Sequence, residues 1–158
     1  MGSTSPTKAS WRKRGVPEFP VAPMPYLVDK SALARMPHPE VRARLEPIIE
    51  AGEAATCAMV DLEVLYSTRN QPEHARVRAR RALAYRRVEL TEPIFERAIS
   101  VQGLLAGRGR HRLPIPDLII AAAAEAAGLT VLHYDADFDA IAAVTGQTME
   151  WVAPRGSL

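Results

Sequence analysis

Short apolar runs alternate along this chain with longer stretches that carry helix signals. Tyr26-Leu27-Val28, Ala54-Ala55-Thr56-Cys57 and Thr130-Val131-Leu132-His133 are near-continuously apolar, the pattern of strands buried on both faces. Shorter strands are expected over Arg87 to Leu90 and Thr148 to Val152. Between them, Ser31 to Met36 predicts a short helix. Pro39 to Ala51 predicts a second, with proline in its first turn and Gly52 just past its end. Asp61 to Thr68, Gln71 to Tyr85 and Glu92 to Ala106 predict three more, the last capped by Thr91. Ile115 to Ala127, closed by Gly128, and Phe138 to Val144 complete the set. Strand–helix alternation with apolar strands implies an α/β fold whose parallel sheet is covered on both faces. Ligands of such sheets bind beyond the carboxyl ends of the strands. Asp29 and Asp135 each follow a strand directly, so both are expected on that edge.

Length and composition narrow the picture. A chain of 158 residues with 47% apolar content is large enough for one domain with a real core. Residues 1–23 are rich in Ser, Thr, Pro and Gly and are expected to be a disordered extension or tag, with Met24 as a natural start. Residues 24–152 form the expected domain and 153–158 a C-terminal tail. The longest apolar stretch, Leu118 to Ala124, is too short to span a membrane, and no secretory apolar segment opens the chain. Cys57 is the only cysteine, which rules out an internal disulfide and a cysteine-rich zinc site. An intracellular, cytoplasmic protein is expected.

Net charge changes less than it promises. The chain is +2 overall, but residues 1–23 carry +3, leaving −1 on the rest. Bulk charge is therefore no argument for nucleic-acid binding. Two basic clusters remain. Arg108, Arg110 and Arg112 lie in a loop before the Ile115 helix, where they can track a phosphate backbone. The run Arg76, Arg78, Arg80 and Arg81 spreads round a helix and reads as a solvated face. The four histidines have no metal-ligand spacing, and Met59, Leu62, Leu65 and Tyr66 read as core.

The chemistry rests on acids in apolar company. Asp29 ends the first strand, Glu63 interrupts an apolar run, Asp117 precedes Leu118 to Ala124, and Asp135 follows the Thr130 strand. Carboxylates in apolar surroundings are costly unless paired or bound to a cation, and several converging ones favour a hard cation such as Mg2+ or Mn2+. Each acid has a plainer reading. Asp29 can cap a helix, Asp117 can meet a helix dipole, and Asp135, Asp137 and Asp139 can form a solvated first turn. Glu63 resists such a reading, whereas Asp61 reads as surface.

Four segments, in order, carry a resemblance: Tyr26-Leu27-Val28-Asp29-Lys30-Ser31, Asp61-Leu62-Glu63-Val64-Leu65, Pro116-Asp117-Leu118-Ile119-Ile120, and Leu132-His133-Tyr134-Asp135-Ala136-Asp137-Phe138. Together they resemble the PIN-domain ribonucleases, and among them the VapC toxins of bacterial toxin–antitoxin pairs, over residues 24 to about 152. The resemblance implies a three-layer α/β/α fold with a central, mainly parallel sheet. It implies a Mg2+- or Mn2+-dependent endoribonuclease with Asp29, Glu63, Asp117 and Asp135 as its acidic quartet. Asp137 matches an additional carboxylate, and Ser31 a hydroxyl that hydrogen-bonds inside the site. Lys30 stands where many relatives have Thr, and its side chain is expected to point away from the site. Expected partners are tRNA or rRNA as substrate, a VapB-like antitoxin whose C-terminal peptide lies beside the acids, and a second copy in a homodimer. Two other readings stand beside it. A Mg2+-dependent aspartyl phosphatase would want a lysine late in the chain, and none follows Lys30. A non-catalytic scaffold of the same fold would be expected to have lost one or more of the acids.

Overall fold

Strands this short and apolar cannot face water on either side, so they form the middle of a layered structure. The protein is described by a computed structural model over residues 25–158; the extension expected at 1–23, and Met24, lie outside the described residues. In chain order the elements are β1 (Tyr26–Val28), α1 (Lys30–Leu33), α2 (Pro39–Glu50), β2 (Ala54–Cys57), α3 (Ala58–Tyr66), α4 (Gln71–Ala84), β3 (Arg86–Val88), α5 (Glu92–Ala106), α6 (Ile115–Ala127), β4 (Thr130–His133), α7 (Asp137–Thr145) and β5 (Met149–Trp151). The strands make one sheet in the order β3-β2-β1-β4-β5, and every pair is parallel.

Alternation along the strands divides the core into two layers. Leu27, Ala55 and Val131 point to one face, where they meet Ile94, Val101 and Leu105 of α5, Leu118 to Ala124 of α6, and Phe138 and Ile141 of α7. Val28, Ala54 and Leu132 point to the other, against Ala32 of α1 and Val41 and Leu45 of α2. The result is the expected three-layer α/β/α arrangement. Val152 and Ala153 pack into the second layer, and the Leu158 N–H donates to the Tyr134 hydroxyl at 3.0 Å.

Several elements depart from the expected boundaries. Helix α3 starts at Ala58, directly after β2, because extended Cys57 serves as its N-cap without any side-chain cap bond. No capping residue type marks that start, so Asp61 looks like the first helical position in the sequence. Thr91 does stand at the N-cap of α5, but its hydroxyl makes no cap bond. Helix α6 ends as expected on Gly128, whose φ of 67° suits glycine. Leu62 and Tyr66 correct the expectation of core: they are 64% and 88% exposed. Asp61 is corrected in the opposite direction. Its carboxylate accepts from Arg81 Nε at 2.8 Å and Thr56 Oγ1 at 2.9 Å, and it also pairs with Arg87. Arg81 is consequently buried rather than part of a solvated face.

Candidate metal centre

Parallel pairing of β1 with β4 builds the site. Val28 lies opposite Leu132, so the residues just beyond, Asp29 and Asp135, emerge at the same sheet edge. The Asp29 N–H donates to the Leu132 carbonyl at 3.0 Å, which locks that edge. Asp117 enters from the first turn of α6, Asp137 opens α7, and Glu63 projects from α3.

Asp117, Asp135 and Asp137 each bring a carboxylate oxygen to within 4.8 Å of the others, close enough to share one cation. Asp29 and Glu63 lie outside this tightest group but within electrostatic reach of it. Asp117 feels the charges of Asp29, Asp135, Asp137 and Glu63. One oxygen each of Asp29, Glu63 and Asp117 (Oδ1, Oε1 and Oδ2) is buried with no hydrogen-bond partner among the described residues. Buried acceptors are rarely left so. Such acceptors suit an oxygen-preferring divalent cation, and the donor set contains neither nitrogen nor sulfur.

The titration of these groups follows from crowding. Burial first, then the neighbouring carboxylates, pushes Asp117 up to about 8. Burial raises Asp29 too, against hydrogen bonds from Ser31, and Asp135 raises it further. Glu63 is raised by burial and by Asp29, with Lys30 pulling it back, and Asp137 is raised by burial and Asp135. In all four the ionised form is disfavoured relative to a free carboxyl, and a nearby cation would offset that.

The helix-capping reading of Asp29 holds on one oxygen, and the other is left without a hydrogen-bond partner among the described residues. Oδ2 caps α1 by accepting the Ser31 N–H at 2.9 Å, while Oδ1 remains the unpartnered one. Ser31 Oγ accepts the Tyr134 N–H at 2.9 Å, which leaves its hydrogen for Asp29. Asp135 is held by similar local bonds. Its Oδ1 accepts the Asp137 N–H at 2.9 Å, and its own N–H donates to His133 Nδ1 at 3.1 Å. His133 is fully buried between Phe138 and Trp151, so it is structural, and its Nδ1 must be unprotonated to accept.

Arg108, Arg110 and Arg112 are on the loop before α6, and Arg110 is close enough to lower the Asp137 carboxyl. Lys30 does not point away: it lines a shallow groove with Leu62, Glu63 and Tyr66. A polar side-chain network around Asp61 is invisible in the sequence. Its partners lie 5 to 26 residues away, and only the clustering of arginines hints at it. No helix among the described residues is long and apolar enough to cross a membrane.

The same frame recurs in known proteins. The PIN domain profile matches residues 26–144. Ribonuclease VapC51 of Mycobacterium tuberculosis is 48% identical over 84% of this chain and 96% of its own length. The structure of VapBC-1 from nontypeable Haemophilus influenzae superposes with a TM-score of 0.67 at 15% identity, covering 82% of this chain and 98% of that one. VapBC-5 of M. tuberculosis, a member of the VapBC family of toxin–antitoxin systems, gives a TM-score of 0.53 at 25% identity over 82% of this chain and 98% of its own. With its parallel sheet, its converging acids and these likenesses, the chain belongs to the PIN-domain family, in the VapC branch.

Proposed function

We propose that this protein is a divalent-metal-dependent endoribonuclease, the toxin of a toxin–antitoxin pair, hydrolysing RNA phosphodiester bonds until a VapB-like antitoxin covers the site. The observation that carries the reading is the convergence of Asp29, Glu63, Asp117, Asp135 and Asp137, with three buried carboxylate oxygens lacking a hydrogen-bond partner. Asp117, Asp135 and Asp137 would hold Mg2+ or Mn2+, with Asp29 and Glu63 joining directly or through water. When bound, the cation supplies positive charge that lowers the pKa of an attacking water and meets the charge building on phosphate oxygens.

The chain's own groups do the positioning. Ser31 keeps Asp29 oriented, the Asp137 N–H fixes Asp135, and Asp117 or Asp135 aligns the water. Arg110, beside Asp137, is placed to meet an incoming phosphate, with Arg108 and Arg112 extending the track. tRNA or rRNA is the proposed substrate class. The exposed Leu62 and Tyr66 flank Glu63, and this supports an antitoxin peptide lying there. The exposed Ile99 and Ile115 share an apolar surface with Phe95 on α5 and α6, which supports a homodimer.

Purified, antitoxin-free protein should cut total cellular RNA into discrete fragments with Mg2+ or Mn2+ and not with EDTA. Asp29→Ala should slow that cleavage by about a hundredfold. Cleavage that survives both EDTA and Asp29→Ala would remove the metal-nuclease reading.

Metal affinity should depend on pH with a defined sign. Below about 8 a proton on Asp117 competes with the cation. Calorimetric Mn2+ affinity should therefore rise about tenfold from pH 6 to pH 7 and flatten above pH 8, with proton release on binding. An affinity constant across that range would show that Asp117 is not a ligand.

A further inference from the structure

Two of the four α4 arginines that read as a solvated face in the sequence, Arg78 and Arg81, line a cavity. It lies between α4 and the β2–β3 edge, holds about 280 Å3, and is walled by Thr56, Asp61, Arg78, Arg81, Tyr85 and Arg87, among others. Three guanidinium groups face one carboxylate there. Asp61 is already engaged on both oxygens, Oδ1 by Arg81 and Thr56 and Oδ2 by Arg87. Arg78 pairs with no carboxylate among the described residues. The wall therefore keeps an excess of two positive charges around a concavity, an arrangement that concentrates anions.

Arg81 makes this a built site. It is 7% exposed, with Nε on Asp61 at 2.8 Å, one terminal nitrogen on Thr56 Oγ1 at 3.0 Å, and its guanidinium 4.4 Å from the Tyr85 ring centroid. A guanidinium held in this way loses little freedom when it binds. Guanidinium groups recognise phosphate through paired, charge-assisted hydrogen bonds. The volume lies below the roughly 300–1,000 Å3 that encloses a drug-sized ligand, so the cavity suits a phosphate group rather than a whole nucleotide.

The cavity is distinct from the acidic centre. Asp61 and Glu63 are two residues apart on α3, about 200° round the helix, so the cavity and the carboxylates lie on opposite sides of it. We infer that this cavity is a phosphate-group site, filled by a free anion or by a backbone phosphate of RNA. The inference does not rest on the nuclease reading.

The test is a calorimetric titration of inorganic phosphate into the full-length, metal-free chain at constant ionic strength. A single-stranded oligoribonucleotide is titrated in parallel, in EDTA. Arg78→Gln alone, and together with Arg87→Gln, removes exposed guanidinium groups while leaving the Arg81–Asp61 pair, so a folded variant is expected. Wild-type protein should bind phosphate in the range of about 1 mM, and the double variant about tenfold more weakly or worse. A parallel loss of oligoribonucleotide affinity would identify RNA as the source, and an unchanged one a free anion; both outcomes support the site. No saturable phosphate binding, or equal affinity in the folded variants, would overturn it.

Discussion

Asp117→Asn should abolish metal-dependent RNA cleavage and at the same time make the metal-free protein more stable. The loss should be about a thousandfold or more, since the carboxylate that converges with Asp135 and Asp137 would lose its charge at the point where the proposed cation would bind. The gain in stability follows from the same crowding. Asp117 is 7% exposed and has Asp29, Glu63, Asp135 and Asp137 as neighbours, so its ionised form is held against desolvation and like charge. Asn removes that charge and keeps the shape. A gain of about 1–3 kcal/mol is expected, or roughly 3–10 °C in Tm.

The sign with pH follows from linkage. A carboxyl raised from 3.8 to about 8 stabilises the fold while protonated, and that contribution fades as pH rises through the interval. The advantage of Asp117→Asn should therefore be largest at pH 8, clearly smaller at pH 5, and absent only near pH 3.8 and below. Saturating Mn2+ should reverse the order by stabilising only the parent. Thermal melts at the two pH values, with and without Mn2+, decide it; an Asn variant that melts lower at pH 8 would refute the crowding argument.

Asp61→Ala should be strongly destabilising although it lies outside the acidic centre. It strands Arg81, whose side chain is 8% exposed and whose Nε depends on Asp61 at 2.8 Å. An uncompensated buried guanidinium costs about 3–5 kcal/mol. Breaking the more exposed Arg44–Glu150 pair by Glu150→Ala should cost under about 1 kcal/mol. Replacing both partners, Asp61→Leu with Arg81→Met, should recover most of the loss, because no buried charge is left alone. Urea unfolding of the parent and these three variants checks the series. A cost below about 1 kcal/mol for Asp61→Ala would mean that Arg81 readily finds water.

Much of this fold can be read from the sequence because its local and global signals agree. Strands buried on both faces must be apolar throughout, so β1, β2 and β4 stand out, and the acids just after β1 and β4 reach one edge by parallel pairing. What escapes is non-local. Asp61 lies in the first turn of α3, where an acid needs no explanation, and its partners come from β2, α4 and β3. Leu62 and Tyr66 look like core in any one-dimensional reading, yet they stand four residues apart on the one stripe of α3 left exposed. Capping chemistry also misleads: Thr91 has the right residue type and makes no cap bond, while Cys57 has the wrong type and starts a helix.

The central pairing of β1 with β4 has a consequence for the timing of synthesis. Val28 waits for Leu132, and Asp29 for Asp135, across most of the domain. At translation speeds of about 5–20 residues per second, a nascent chain carries its first carboxylate for about 5–20 s before its partner has been made. Until β4 leaves the ribosome, the growing polypeptide holds Asp29, Glu63 and then Asp117, but neither Asp135 nor Asp137. A nascent chain that has not yet paired β4 with β1 therefore cannot assemble the proposed cation site.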